Sequence, residues 1–88
     1  MASFRVVVKS LRFESELHRA ESDPRMADEA VEAMEFALAR HPERGFPVES
    51  LFIWPIYIQN TEHVVYYVFD ETQVELVSHR ASAEDDSW

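Results

Sequence analysis

The stretch His63-Val64-Val65-Tyr66-Tyr67-Val68-Phe69-Asp70-Glu71-Thr72-Gln73-Val74-Glu75-Leu76-Val77-Ser78-His79 decides the fold of this 88-residue chain. Two runs rich in β-branched and aromatic residues, His63 to Phe69 and Gln73 to His79, flank the polar turn Asp70-Glu71-Thr72. So short a connection joins antiparallel neighbours. The first run is apolar at both parities, whereas a strand with one solvated face alternates. The sheet's outer face is therefore expected to carry aromatic or aliphatic groups, as its core face does. In so small a domain such a face calls for a cover, either the chain's own termini or a partner.

Outward from this hairpin, Leu51-Phe52-Ile53-Trp54-Pro55-Ile56-Tyr57-Ile58 reads as the preceding strand, joined through the turn Gln59-Asn60-Thr61-Glu62. Pro55 places it at an edge or a bulge, because proline cannot donate to a central ladder. Upstream the period changes. Ala27, Ala30, Val31, Met34, Ala37 and Leu38 form a helical stripe, and Asp28, Glu29, Glu32 and Glu35 fill the opposite, solvated side. Asp23 is the expected cap of this helix, with Pro24 in its first turn, and His41-Pro42-Glu43-Arg44-Gly45 ends it. Gly45 is the only glycine, and a left-handed cap or loop position is its expected use. Further upstream, Phe4 to Val8 reads as a short strand. Ser10 then caps a helix carrying Phe13, Leu17 and Ala20, which Glu21-Ser22-Asp23-Pro24 interrupts.

The order is strand, two helices, then a three-stranded antiparallel meander, an α+β layout with both helices packed on one sheet face. Residues 1–80 are expected to form a single domain, and 81–88, with Glu84, Asp85 and Asp86, a flexible acidic tail. A domain of this size hides only about 60–65% of its unfolded surface, so any site is shallow. With 47% hydrophobic and 12% aromatic residues the chain is too apolar for disorder. It has no cysteine, which excludes disulfides, thiolate metal sites and thiol nucleophiles and suits a reducing cytosol. No charged leader with a long apolar core opens the chain, and no apolar run approaches about 18 residues, so a soluble, cytoplasmic protein without a membrane role is expected.

Charge is the second strong signal. Seventeen acidic residues against eight basic give a formal net charge of -9, and from Gly45 to His79 there is no Lys or Arg. Such a field repels phosphate backbones, so nucleic acid is an unfavoured partner. Half of the cations gather near the N-terminus, at Arg5, Lys9, Arg12 and Arg19. The chain has no Gly-rich phosphate loop, no His-Glu-x-x-His and no Gly-x-Ser-x-Gly, and His18 and His41 sit on separate helices. No metal or cofactor is expected.

The succession Phe13, Leu17, then Leu38-Ala39-Arg40-His41-Pro42-Glu43-Arg44-Gly45, then His63 to Glu71, then Val74-Glu75-Leu76-Val77-Ser78-His79-Arg80 resembles the RelE/ParE superfamily of toxins from bacterial type II toxin–antitoxin modules. The likeness rests on a helix ending in Leu-x-x-x-Pro-x-x-Gly, a penultimate strand with Tyr followed by an acidic turn, and a last strand ending in His-Arg. It implies helices on a twisted antiparallel sheet and an antitoxin segment wrapping the toxin. In the ribosome-dependent RNases of that family the open sheet face gathers basic and aromatic groups that bind mRNA and promote attack of a 2′-hydroxyl on the adjacent phosphate. That chemistry needs a base, an acid and cations. The resemblance places His63, His79 and Arg80 as the candidate catalytic residues, with Tyr66 and Tyr67 nearby, and the other strand cations are missing. Two imidazoles could divide acid and base duties near neutral pH. The competing reading makes both His residues rim residues and the Tyr residues packing groups.

Three functions follow as expectations. One is a toxin-like protein that acts by binding an antitoxin or a target such as DNA gyrase, without nuclease activity. The second is an mRNA endonuclease using His63, His79 and Arg80. The third is a non-toxin acidic interaction domain or homodimer of the same fold. The missing strand cations favour the first or third. A chain at -9 suits a neutral or basic partner surface, and Trp54, Tyr57 and Tyr67 are the expected aromatic anchors on the outer sheet face.

Overall fold

Ser10 and Asp23 set where the chain turns helical. In a computed structural model describing residues 4–20, 23–58 and 61–81, Ser10 Oγ accepts from the Phe13 N–H at 3.0 Å and opens helix α1, Leu11–Ala20. The Asp23 carboxylate accepts from the Arg25 N–H at 3.0 Å and opens helix α2, Pro24–Arg40, where proline occupies a position that needs no donor. Strand β1, Val6–Lys9, precedes them. After α2 come a single 3-10 turn, Pro42–Arg44, and four strands: β2 Phe46–Val48, β3 Leu51–Ile58, β4 Thr61–Phe69 and β5 Gln73–Ala81.

These strands make one five-stranded sheet in the order β1-β5-β4-β3-β2. β2 to β5 run antiparallel, and β1 adds to the far edge of β5 in parallel. The α+β layout thus holds, but the meander has four strands instead of the expected three. The extra one, β2, joins β3 through Glu49 and Ser50, with Val48 opposite Leu51 and Glu49 at a left-handed φ of 56°. A three-residue strand containing Pro47 carries too little periodicity to be seen in the sequence. At the other end Ala81 is the last residue of β5, opposite His63, while the remainder of the expected tail, 82–88, and the expected turn residues Gln59 and Asn60 lie outside the described residues.

Both helices cover the same face. Phe13 and Leu17 of α1 and Ala27, Val31, Met34 and Leu38 of α2 close over Ile56, Ile58, Val65, Tyr67, Val74 and Leu76. Each large side chain buried there contributes about 1.5–3 kcal/mol. Lys9 reaches Glu35 on α2 at 3.7 Å, which draws that carboxylate out of the purely solvated row expected of it. The hairpin between β4 and β5 is held by Asp70, whose carboxylate accepts from the Thr72 N–H at 2.8 Å and the Gln73 N–H at 2.9 Å. These bonds favour the charged form and hold Asp70 below the ordinary carboxylate range.

Gly45 serves a purpose different from the one expected. Its φ is -69°, so no left-handed conformation requires glycine. Instead, a Cβ there would overlap the Tyr67 hydroxyl and stand 2.9 Å from the Ile53 carbonyl oxygen. The constraint comes from a side chain arriving from β4, which no local sequence rule registers. Among the described residues no helix is long and apolar enough to cross a membrane.

Candidate functional site

A bulge decides which residues the sheet gathers beneath α1. Tyr66 pairs with Ser78 but Tyr67 pairs with Leu76, leaving Val77 as an extra residue in β5. Ahead of it Val74 and Leu76 face the core, and beyond it His79 and Ala81 do, so the parity has switched. Regular alternation would have put His79 on the outer face. The bulge is anchored from the helix side, where Ser10 Oγ donates to the Val77 carbonyl at 2.9 Å. Glu16 of α1 accepts from the His79 N–H at 2.9 Å and from the Ser78 hydroxyl at 2.8 Å. That carboxylate supplies the acceptor for an edge that β1, ending at Lys9 opposite Leu76, does not reach.

His63 and His79 meet under α1 as a result. The His63 Nδ1 and His79 Nε2 atoms are 2.7 Å apart, with ring centroids at 4.8 Å and planes inclined by 27°. Phe13 packs edge-on against His79 at 6.3 Å. The two residues are 3% and 4% exposed, so the expectation of rim histidines is corrected: both are core residues. Burial pushes His79 down to about 4, the neighbouring His63 adds to this, and Glu16 opposes it. His79 Nδ1 is buried without a partner. A hydrogen bond between the two facing nitrogens needs one proton between them, and a second proton there would break it. Glu16 itself, although burial alone would raise it, is held low by the His79 N–H, the Ser78 hydroxyl and Arg12.

Arg80, the third candidate, is exposed and pairs opposite Val64, on the parity opposite to His79. A small polar cleft of ≈ 170 Å³ at the sheet edge is lined by Glu16, Arg19, His79 and Arg80, and His63 has no part in it. The structure brings the two imidazoles together but turns them away from solvent.

The aromatic anchors are divided as well. Tyr67 is fully buried on the helix side and its hydroxyl donates to the Pro42 carbonyl. Burial raises Tyr67 to about 12, the Gly45 N–H works against this, and Glu43 adds to it. Trp54, opposite Val65, also turns toward the helices and is half-buried against the core. Only Tyr57 lies on the outer face, 66% exposed, with its hydroxyl 3.3 Å from Glu62 Oε2. Placing all three on the outer face is therefore corrected for Trp54 and Tyr67, whose parity is that of Val65.

The face the sequence did foresee is present with other members. Register and burial put Val6 and Val8 of β1, Val64, Tyr66 and Val68 of β4, Ile53 and Pro55 of β3, and Phe46 and Val48 of β2 on the side away from both helices. Val6, Val8, Phe46 and Val48 are all substantially exposed. The apolar composition of β4 at both parities signalled this face, but the contribution of β2 needed the register. Among the described residues no group of three or more His, Asp or Glu is placed to hold a metal ion. Comparisons with known protein families, with curated proteins and with solved structures returned no match.

Proposed function

We propose that this chain is a protein-binding domain of the RelE/ParE toxin type, which acts by contact with an antitoxin or a gyrase-type target and does not cut RNA. The observation that carries this reading is the open sheet face, where Val6, Val8, Ile53, Val64, Tyr66, Val68 and Tyr57 form an apolar surface that neither helix covers. Contiguous apolar surface on a small protein marks an interaction site. Cleavage of RNA asks for an accessible base and acid with cations around the phosphate. His63 and His79 are instead buried beside each other, with His79 held neutral at pH 7, and Arg80 lies on the opposite parity. The net charge of -9 further opposes a polyanion and suits a neutral or basic protein surface.

Light scattering of the protein alone, and after co-expression with the product of its neighbouring gene, tests this. A stable complex is expected, or a symmetric dimer through the same face when no partner is supplied. A strict monomer in both cases, with Tyr57 and Tyr66 freely modified by solvent reagents, would sink the reading. Added to a translating ribosome system, the protein should leave mRNA intact. Site-specific cleavage that disappears in His79→Ala would establish the endonuclease in its place.

A further inference from the structure

The histidine pair beneath α1 is satisfied in one state of protonation only. His63 Nδ1 and His79 Nε2 face each other at 2.7 Å, while His79 Nδ1 is buried without a partner. The neutral pair carries two ring protons, and these fit: His79 Nε2 can donate to His63 Nδ1 and leave His79 Nδ1 bare. A third proton does not fit. If it makes His79 cationic, the N–H at Nδ1 has no acceptor. If it makes His63 cationic, either two N–H groups meet face to face or His79 must carry its own proton on Nδ1. Every placement therefore buries a charge together with an unmet donor, on residues only 3% and 4% exposed.

The elements around the pair yield unequally. β4 is laddered on both sides, and β5 is laddered to β4 throughout and to β1 as far as Leu76. α1 is a ten-residue helix, too short to persist alone in water, and it meets this end of β5 through Phe13, the bond from Ser10 to Val77 and the bonds of Glu16 to Ser78 and His79. Glu16 also takes Arg12 at 3.4 Å, so it has little to offer a new donor without letting go of the strand. Arg19 of α1 and Arg80 of β5 line the adjoining cleft with His79 and oppose a further positive charge. β3 places Ile56 opposite His63, α2 brings Ala27 and Val31 to the same core, and Glu62 of β4 has the outer parity, so none of these offers a counter-charge inside. We propose that α1 is an acid-sensitive cover. One further proton on the pair lifts α1 from β5 about Ser10, admits water through the cleft to His79 and frees the edge at Ser78 and His79, while α2 and β2 to β5 stay folded. Phe13 and Leu17 then leave the core, and a return to neutral pH closes the helix again.

The test follows amide hydrogen exchange and the imidazole nitrogen signals of the isotopically labelled full chain from about pH 7 to about pH 5. Protection is taken relative to the free-peptide rate at each pH. The Glu16, Leu17 and His79 amides should lose about tenfold or more of their protection in step with protonation of the pair, and the Val31, Leu38 and Val65 amides should keep theirs. His79→Leu should hold α1 closed over the whole range. Glu16→Gln, whose amide oxygen still accepts from Ser78 and His79, should be closed at pH 7 and open on acidification as the parent does. Imidazoles that take up the proton while α1 stays protected would overturn the proposal, and that result needs no variant. So would a loss of protection shared equally by α1, α2 and β4, which would mean that acid unfolds the whole domain. An open α1 in Glu16→Gln at pH 7 would trace the response to the carboxylate and overturn it too.

Discussion

β4 shows similar side chains to two different surroundings. On the helix side Val65 and Tyr67 are fully buried, and the polar groups among them find partners, the Tyr67 hydroxyl in the Pro42 carbonyl and His63 Nδ1 in His79 Nε2, with His79 Nδ1 the exception. On the other side Val64, Tyr66 and Val68 are only half-buried by their strand neighbours. The covered face is specific because each buried polar atom needs a partner in a fixed place. The open face is as apolar, yet it meets no helix and contributes less to folding. That is why the proposed partner contact is placed on it.

The contrast is tested first where the effect should be greatest. Leu38 of α2 is fully buried against the sheet, so Leu38→Ala should cost about 2–5 kcal/mol, a large share of a small domain's stability, read as a lower urea midpoint. An unchanged midpoint would remove α2 from the core. Acid should then expose the histidine pair. The proton binds His79 near 6.5 in the unfolded chain but only near about 4 in the fold, so between those values unfolding takes up a proton. Stability should be full above about pH 6.5 and decline as pH falls toward about 4, by up to about 3 kcal/mol. Glu16 and Asp70, both held low, act in the same direction but only below their ordinary values of 4.5 and 3.8. Urea midpoints between about pH 7 and pH 5 thus report chiefly on the pair. The decline in that window should flatten in His79→Leu, and a persistent slope would place its origin elsewhere.

What the sequence disclosed follows the same division. Helical periodicity, the Ser10 and Asp23 caps and the short Asp70 turn are local, and each appears in the structure where the residues put it. The phase of the strands is not local. Nothing in the alternation of β4 says whether Tyr66 or Tyr67 faces the helices, and the Val77 bulge that turns His79 inward depends on Ser10 and Glu16, more than sixty residues away. So the sequence alone does not show that Trp54 and Tyr67 face the helices, nor that His63 and His79, candidate catalytic residues on one reading and rim residues on the other, lie in the core. The short β2 was missed because three residues around a proline carry no period.

Gly45 sharpens the comparison at a smaller scale, because it lies where the covered face is packed most closely. Gly45→Ala has no backbone penalty at φ -69°, so its whole cost comes from displacing the Tyr67 hydroxyl. A loss of about 1–3 kcal/mol is expected. In a Tyr67→Phe background, which removes the atom in the way, Gly45→Ala should cost clearly less, and this double-mutant cycle measures the coupling. Equal costs in the two backgrounds would mean that the Ile53 carbonyl, and not the tyrosine, demands the glycine.

The smallest effect is expected on the open face, and there the size itself is informative. Tyr66 pairs with Ile53 on one side and Ser78 on the other, outside the helix-covered core. Tyr66→Ser removes a ring shielded only by those neighbours and should change stability by about 0.5 kcal/mol or less. Its effect on partner binding should be much larger, since a half-buried aromatic at the middle of an apolar surface is the usual form of a binding hot spot. A cost approaching that of Leu38→Ala would break the distinction between the faces. Were that cost also to grow with protein concentration, the open face would already be covered by a second copy in solution, because only association makes apparent stability depend on concentration.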